Sequence, residues 1–267
     1  MSHHLPYAAN CSLLFCEAPL PQRPAAARAK GFDAVEFWWP WPAQPVPDDR
    51  DVDAFIASTQ DAGVRLIGLN FFAGDLGGTD CGVLSVPARS REFHDNIDVA
   101  VAIGRTLGVG AFNALYGNRI EGVDPGERDQ IGTANLVAAA HAAAEIGATV
   151  LVEPVSGPKP YPLRTAADVV TVLDRVRAAG AANLGLLCDL FHLATNGEDV
   201  PAVITAYAER VTHVQIADSP GRGEPGSGRL DLDAYLSQLE PDLAASMAAA
   251  EPLLTSMGER IAREWLS

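Results

Sequence analysis

Short apolar segments alternate along the chain with stretches of helical periodicity. The apolar segments are rich in Val, Leu, Ile and Phe, and they read YAANCSLLF, AVEFWWP, VRLIGLNFF, AFNALYG, TVLVEPV, LGLLCDLFH and VTHVQIADSP. Most of the intervening stretches, such as DVDAFIASTQDAG and TAADVVTVLDRVRAAG, end in glycine, a common signal for the end of a helix. Near-continuous apolar strands that alternate with helices predict a parallel sheet covered by helices.

The number and spacing of these units predict the type of parallel sheet. Strand-and-helix units of about 30 residues each fit a (β/α)8 TIM barrel better than an open doubly wound sheet. A phosphate-binding GxGxxG after the first strand would favour the open sheet, and the sequence has none there. No linker or low-complexity run precedes about residue 220. We therefore predict an α/β protein with a single TIM-barrel domain over residues 1–267.

Composition and charge exclude several classes of partner. The 267 residues carry a formal net charge of −15, which disfavours binding to nucleic acid or to an anionic membrane surface. No apolar run reaches the ~18 residues needed to span a bilayer, and the N-terminus lacks the pattern of a signal peptide. The four cysteines have no CxxC spacing. We expect a soluble, unprocessed protein of a reducing cytoplasm.

Polar side chains interrupt the apolar segments near the ends of the predicted strands. They are Asn10, Glu36, Asn70, Asn113, Tyr116, Glu153, Asp189, His192, His213 and Gln215. Glu153, Asp189 and Gln215 come from three successive strands, and their oxygens suit a hard or borderline divalent ion such as Mg²⁺, Mn²⁺ or Co²⁺. The alternative for each residue alone is that its side chain only satisfies hydrogen-bonding groups within the barrel. A shared site would explain all three together.

Several residues beyond these strands are candidates for binding a small 2-oxo or hydroxy acid. Lys159 and Arg222 lie in loops that follow the fifth and seventh strands, where each could grip a carboxylate or simply be a solvated charge. His192 could hydrogen-bond a substrate hydroxyl, orient a ligand, or be an ordinary satisfied histidine. Glu224 could hold Arg222 in place or be exposed.

A tryptophan-rich loop, EFWWPWP, follows the second strand. Trp38, Trp39 and Trp41 could exclude water from a reactive intermediate. The alternatives are an apolar plug at the barrel mouth or a contact between copies of the chain in a homo-oligomer.

The motifs VLVEPVSGPKPYPL, CDLFHL and HVQIADSPGRGEPGSGRLDLDAYL, together with AANCSLLF, GVLSVPAR and NALYGNR, closely resemble the hydroxypyruvate isomerase family of xylose-isomerase-like TIM barrels. The resemblance covers about residues 7–239. It implies a divalent-metal-dependent isomerase that interconverts hydroxypyruvate and tartronate semialdehyde, or a relative that acts on 2-oxo-tetronates. It also implies Glu153, Asp189 and Gln215 as metal ligands and Glu153 as a proton-handling carboxylate. Related sugar epimerases usually have His in place of Gln215.

The C-terminus departs from that family. The resemblance implies a fourth ligand, a Glu in a G-x-EY-x-P segment on the eighth strand, and this sequence has no such segment. Residues 241–267 are Ala-rich, and we predict an atypical or missing eighth strand. We expect a helix broken near Pro252 in this segment, with Glu251, Glu259 and Glu264 facing solvent. Two other classes of function stay open. One is a metal-dependent lyase or endonuclease, and the other is a binding protein that descends from an isomerase.

Overall fold

Parallel β-strands alternate with helices and close into a barrel in the computed structural model of the chain, in the order β1 to β8. The structure describes residues 5–157, 160–247 and 254–256. The strands are β1 (Tyr7–Asn10), β2 (Ala34–Phe37), β3 (Arg65–Asn70), β4 (Ala111–Asn113), β5 (Thr149–Val152), β6 (Leu184–Asp189), β7 (Val211–Ile216) and β8 (Leu254–Ser256). The helices are α1 (Arg23–Ala29), α2 (Asp49–Ala62), α3 (Ser90–Leu107), α4 (Pro125–Ala144), α5 (Ala166–Ala178), α6 (Leu190–Thr195), α7 (Val200–Tyr207) and α8 (Leu232–Met247). The predicted TIM barrel is confirmed.

Local sequence signals fix where the helices begin and end. Helix α5 begins with a capping box, in which Thr165 Oγ1 accepts from Asp168 N at 3.1 Å and Asp168 Oδ2 accepts from Thr165 N at 2.9 Å. Helices α2 and α3 stop at Gly63 and Gly108, which have φ of 65° and 74°. Glycine adopts this left-handed conformation without steric cost, so both helices end where the chain turns into the next strand.

The strands form the core and carry their polar residues to one end of it. All six residues of β6 are buried, including Cys188, because the barrel interior lies on one side and the helical layer on the other. The parallel register sets Asn10 beside Glu36 and Asp189 beside Gln215. Both pairs lie in the last two residues of their strands. The polar side chains therefore meet at the carboxyl-terminal mouth of the barrel, where TIM-barrel chemistry takes place.

The C-terminal segment corrects part of the sequence prediction. Helix α8 continues through Pro241 to Met247, as the helical pattern predicts. The eighth strand, predicted to be atypical or missing, is present but only three residues long, and Leu254–Ser256 pairs in parallel with both β1 and β7. Without that strand the edges of β1 and β7 would leave backbone groups unpaired. Residues 248–253 and 257–267, with Pro252 and the three tail glutamates, lie outside the described residues.

The helical layer holds no segment suited to crossing a bilayer. Among the residues that the structure describes, no helix is both long enough and apolar enough to do so.

Candidate active site

Two carboxylates lie together at the mouth of the barrel. Glu153 follows β5 directly and Asp189 ends β6, and both side chains are buried. One potential ligand atom from each of these residues and from His192 lie within 4.8 Å of one another. Burial, and then the negative charge of Asp189, raise the pKa of Glu153 to about 8. A hydrogen bond from Asn113 Nδ2 to Glu153 Oε1 at 2.7 Å opposes that shift only in part. The pair therefore favours a proton or a cation between its members.

Gln215 lies on the strand next to Asp189, at the same mouth of the barrel. It lies in register with Asp189 on the next strand, and it lines the same cavity as Glu153 and His192. Its Nε2 donates to Glu36 Oε1 at 2.5 Å. A carboxylate only accepts hydrogen bonds when ionised, so the amide nitrogen must face Glu36 and the amide oxygen is left for another partner. The three predicted metal ligands are thus placed at one mouth of the barrel.

Glu36 is a functional candidate to which sequence reasoning gave no role. Its carboxylate accepts from Asn10 Nδ2 at 2.6 Å, from Gln215 Nε2 and from the ring Nε2 of His213 at 2.9 Å. Gly68 on β3 leaves room for it, because a Cβ added there would lie 3.3 Å from Glu36 Oε2. The sequence signal for Glu36 is a single carboxylate within the apolar segment AVEF. A buried charge requires a partner, so this position indicates a hydrogen-bonded or ion-paired side chain.

His192 is a hydrogen-bond donor to the cavity. The backbone N–H of Ser156 donates to its Nδ1 at 3.1 Å, and Ser156 Oγ lies 2.7 Å from the same atom. An Nδ1 that accepts is unprotonated, so the ring proton resides on Nε2. Burial lowers the pKa of His192, which favours the neutral ring. His192 Nε2 lies 3.6 Å from Asp189 Oδ2. Because Nε2 carries the ring proton in this tautomer, it cannot coordinate a metal.

Arg222 supplies positive charge at the site. Its Nη2 donates to Asp189 Oδ2 at 3.2 Å, and its guanidinium lies over the ring of Phe191, 5.2 Å from the centroid. Its Nε is buried and has no hydrogen-bond partner among the described residues. Its backbone has a φ of 56°, a conformation that non-glycine residues rarely adopt. The guanidinium therefore acts as a counter-ion to Asp189 and keeps one unused donor.

Asp218, which sequence reasoning missed, holds the loop that carries Arg222. Its carboxylate accepts from the backbone N–H groups of Ser219 at 2.8 Å, Gly226 at 2.9 Å and Leu230 at 3.0 Å. Burial raises the pKa of such a group, but these backbone donors outweigh it and hold the pKa of Asp218 below its ordinary value. An ionised Asp218 therefore ties both ends of the loop together around Arg222.

The other candidates divide between the cavity and its surroundings. Trp38 lines the cavity, whereas Trp39 donates from Nε1 to Gln44 O and packs on Trp41 with 5.1 Å between ring centroids. Lys159 lies outside the described residues. The backbone oxygen of Glu224 accepts from the backbone N–H of Ser227 at 3.0 Å, and its side chain is half-buried. Contact of either Lys159 or Glu224 with a substrate stays a prediction.

The cavity at this mouth is small, with a volume of about 220 Å³. Leu115, Val155 and Tyr161 give it apolar walls, and Glu153, Gln215 and Arg222 give it a polar floor. Pockets for drug-sized molecules have volumes of roughly 300–1,000 Å³. The size therefore suits a ligand of a few carbon atoms.

The donor set fits a divalent cation. Two buried carboxylates and an amide oxygen are hard oxygen ligands, and hard cations prefer them. Burial, and then the charge of Asp189, raise the pKa of Glu153, so a bound cation would favour its ionised form. Glu153, Asp189 and Gln215 could hold such an ion.

The chain is similar to known proteins along most of its length. The profile described as xylose isomerase-like TIM barrel matches residues 24–244. A Streptomyces coelicolor protein named "Putative hydroxypyruvate isomerase" is 54% identical over 86% of this chain and 84% of its own length. The 2-oxo-tetronate isomerase of Cupriavidus necator is 30% identical over 84% of each chain. The crystal structure of an AP endonuclease of family 2 from Brucella melitensis matches with a TM-score of 0.81 and 26% identity, over 96% of this chain and 93% of that one.

Proposed function

The chain belongs to the xylose isomerase-like TIM barrel family, and from this premise we propose that it is a metal-dependent isomerase that interconverts hydroxypyruvate and tartronate semialdehyde. Its similarity to proteins named as hydroxypyruvate and 2-oxo-tetronate isomerases supports an isomerase of small sugar acids. The observation that carries the proposal is the cluster of Glu153 and Asp189, next to a cavity that Glu153, Gln215 and Arg222 line together. It combines a cation site, a proton-handling carboxylate and a binding group for an acid.

The proposed reaction moves hydrogen between neighbouring carbons. A proton leaves C3 of hydroxypyruvate, an enediolate forms, and a proton returns at C2, while the oxygens exchange their roles as hydroxyl and carbonyl. A divalent ion held by Glu153, Asp189 and Gln215 would supply stabilisation for the negative charge that develops on the two substrate oxygens. Glu153 takes the proton, because its carboxylate lines the cavity that would hold the substrate.

The remaining residues bind and orient the acid. Arg222 binds the substrate carboxylate through its guanidinium, whose unpartnered Nε–H gives a second donor for bidentate contact. His192 donates its Nε2–H to a substrate oxygen, since Ser156 holds the ring in that tautomer. Trp38 and Tyr161 exclude water from the intermediate.

Two observations favour alternative functions that are related to the proposed one. The similarity to a 2-oxo-tetronate isomerase favours a substrate that is one carbon longer. The eighth strand, LTS, carries no carboxylate, which favours a binding protein that descends from an isomerase. The residue in register with Gln215 on that strand is Thr255.

One experiment separates these functions. The purified protein is incubated in D₂O with Mn²⁺, Mg²⁺ or Co²⁺ and either hydroxypyruvate or a 2-oxo-tetronate, and deuterium uptake and product are followed by NMR. We expect metal-dependent exchange and product with hydroxypyruvate, both lost in the Asp189→Asn variant. Faster turnover of the tetronate would assign the longer substrate. Metal binding without exchange on either acid would identify a binding protein.

A further inference from the structure

A second cavity, with a volume of about 340 Å³, lies on the outside of the barrel between α4, α5 and the loop after β4. It shares no described residue with the lining of the active-site cavity. Tyr116 lines the outer cavity and Tyr161 lines the active site, and the backbone N–H of Tyr116 donates to the Tyr161 hydroxyl at 2.9 Å. Two tyrosines therefore stand between the two cavities.

Arg128, on the wall of this cavity, is a buried cation without an anionic partner. The residue is only 4% exposed. Its guanidinium donates to neutral acceptors, namely Ser85 O at 3.3 Å, Ser85 Oγ at 2.7 Å and Gly117 O at 3.0 Å. No carboxylate of the described chain forms an ion pair with it. Burial lowers the pKa of Arg128, which records the cost of keeping this charge away from water. Buried charges are usually paired, so the site lacks a counter-ion.

Two further arginines line the same cavity. Arg175 uses Nη2 to pair with Asp129 Oδ2 at 3.0 Å, whereas its Nη1 is buried without a hydrogen-bond partner among the described residues. Arg119 is exposed, and its backbone N–H donates to Pro160 O at 2.8 Å. The part of the chain that the structure describes offers Arg119 no ion pair. Both guanidinium groups thus keep donors for a ligand.

The acidic residues of the cavity are already occupied. Asp129 accepts from the Tyr116 hydroxyl at 2.7 Å in addition to its ion pair with Arg175. Asp168 accepts from two backbone N–H groups as part of the capping box of α5. Positive charge is therefore in excess here, although the whole chain carries a net charge of −15.

We propose that this cavity is a second ligand site, which binds a small phosphate-bearing anion through Arg119, Arg128 and Arg175. Guanidinium groups form bidentate hydrogen bonds with phosphate oxygens. A phosphate offers three or four such oxygens and can bind three arginines that surround it, whereas a carboxylate offers two. The shared chemistry of free inorganic phosphate and of a phosphate ester fits the same three residues.

The test is a calorimetric titration of the full-length protein with inorganic phosphate, without added divalent metal. All proteins carry Arg222→Gln, so that binding at the active site is suppressed. Arg119→Gln and Arg175→Gln are compared with Arg91→Gln, which removes an exposed charge on α3 outside the cavity. We expect each of the first two to weaken phosphate binding roughly tenfold or more, because each removes charge-assisted hydrogen bonds. Arg91→Gln should leave it unchanged.

Further titrations distinguish the sources of the phosphate group. Tighter binding of glycerol phosphate than of inorganic phosphate would indicate an ester as the ligand, and the reverse order would indicate the free ion. Acetate, which offers a single carboxylate, should bind at least tenfold more weakly than phosphate. Three results would overturn the proposal: no phosphate binding in the Arg222→Gln protein, equal affinity in the Arg119→Gln and Arg91→Gln variants, or acetate that binds as tightly as phosphate.

Discussion

Gln215 Nε2 lies 2.5 Å from Glu36 Oε1, and this contact across the barrel leaves the oxygen of the Gln215 amide, rather than its nitrogen, for another partner. An amide that rotated freely would present its nitrogen half of the time, and an N–H group cannot bind a cation. Glu36 therefore orients Gln215 as a metal ligand, and Glu36 itself is not one of the proposed ligands. Such supporting carboxylates contribute measurably to metal affinity.

The first prediction concerns this contact. Glu36→Gln should weaken Mn²⁺ binding roughly 10- to 100-fold, because an amide at this position offers one acceptor oxygen to the three donors of Asn10, Gln215 and His213. Isothermal titration with Mn²⁺ measures the change. Glu198→Gln is the matched control, since Glu198 accepts from the backbone N–H of Ala166, in the first turn of α5 and away from the cavity. Equal affinities in both variants would contradict the positioning role.

The second prediction is a pH dependence of stability in the metal-free protein. The pKa of Glu153 is about 8 in the folded chain against an ordinary value of 4.5. A raised pKa means that the folded state holds the Glu153 proton more tightly than the unfolded state does. The stabilisation of the folded state by this proton is therefore full below pH 4.5 and is lost as the pH rises through 8. The free energy of unfolding should therefore fall across this window, by up to a few kcal/mol.

Urea unfolding of the wild type and of Glu153→Gln at several pH values isolates this contribution. As the pH rises, the free energy of unfolding of the wild type should fall relative to that of the variant, because glutamine has no proton to lose. Added Mn²⁺ should stabilise the wild type most at high pH, where the carboxylates are ionised. A difference that stays constant from pH 5 to 8 would show that Glu153 is ionised throughout this range.

The third prediction concerns recognition of the acid. Arg222→Gln should raise KM for hydroxypyruvate by about 10- to 100-fold, since hydrogen bonds to charged groups contribute roughly 1.5–3 kcal/mol. Arg222→Lys should restore only part of this affinity, because an ammonium cannot form the bidentate contact. Arg229→Gln is the control, as an exposed arginine of the same loop.

Lys159→Ala tests the other residue that is predicted to bind the substrate carboxylate. Unchanged kinetics in both the Arg222→Gln and the Lys159→Ala variants would show that neither residue binds the substrate carboxylate.

The fourth prediction concerns the C-terminus. The eighth strand contains no Glu, so it lacks the carboxylate that the resemblance implies as a fourth metal ligand. We propose that this Glu would also be the partner of Glu153 in proton transfer. We expect slow isomerisation and a marked gain in kcat when residues 241–267 are replaced by a segment with the G-x-EY-x-P pattern. Steady-state assays of both proteins measure the gain, with their thermal unfolding as a control for folding. Equal rates would show that another group already serves in place of that Glu.

The sequence predicted the fold well, because buried parallel strands carry a strong apolar signal and helices such as α2 and α3 end at glycine. It also placed Glu153, Asp189 and Gln215 at the ends of three neighbouring strands, since consecutive strands pair with each other in a parallel barrel. The sequence did not locate the short β8, because three residues within an Ala-rich helical pattern carry no periodic signal of their own. Its pairing depends on the open edges of β1 and β7, which are distant in sequence.

The contacts between side chains could not be predicted in the same way. The role of Glu36 depends on a hydrogen bond to a residue 179 positions away, and only the closed barrel brings the two together. The bonds of Asp218 to backbone groups depend on the path of one loop. Likewise, the tautomer of His192 follows from the backbone of Ser156, which no residue pattern encodes.

Anomalous diffraction from a crystal soaked in Mn²⁺ tests the central claim most directly. We predict one strong anomalous peak at the mouth of the barrel, within about 2.0–2.6 Å of oxygens from Glu153, Asp189 and Gln215. The peak should be absent from crystals of the Asp189→Asn variant soaked in the same way. A wild-type crystal without a peak at these three side chains, or with its only peak at another set of residues, would contradict the assignment of this site to a metal-dependent isomerase.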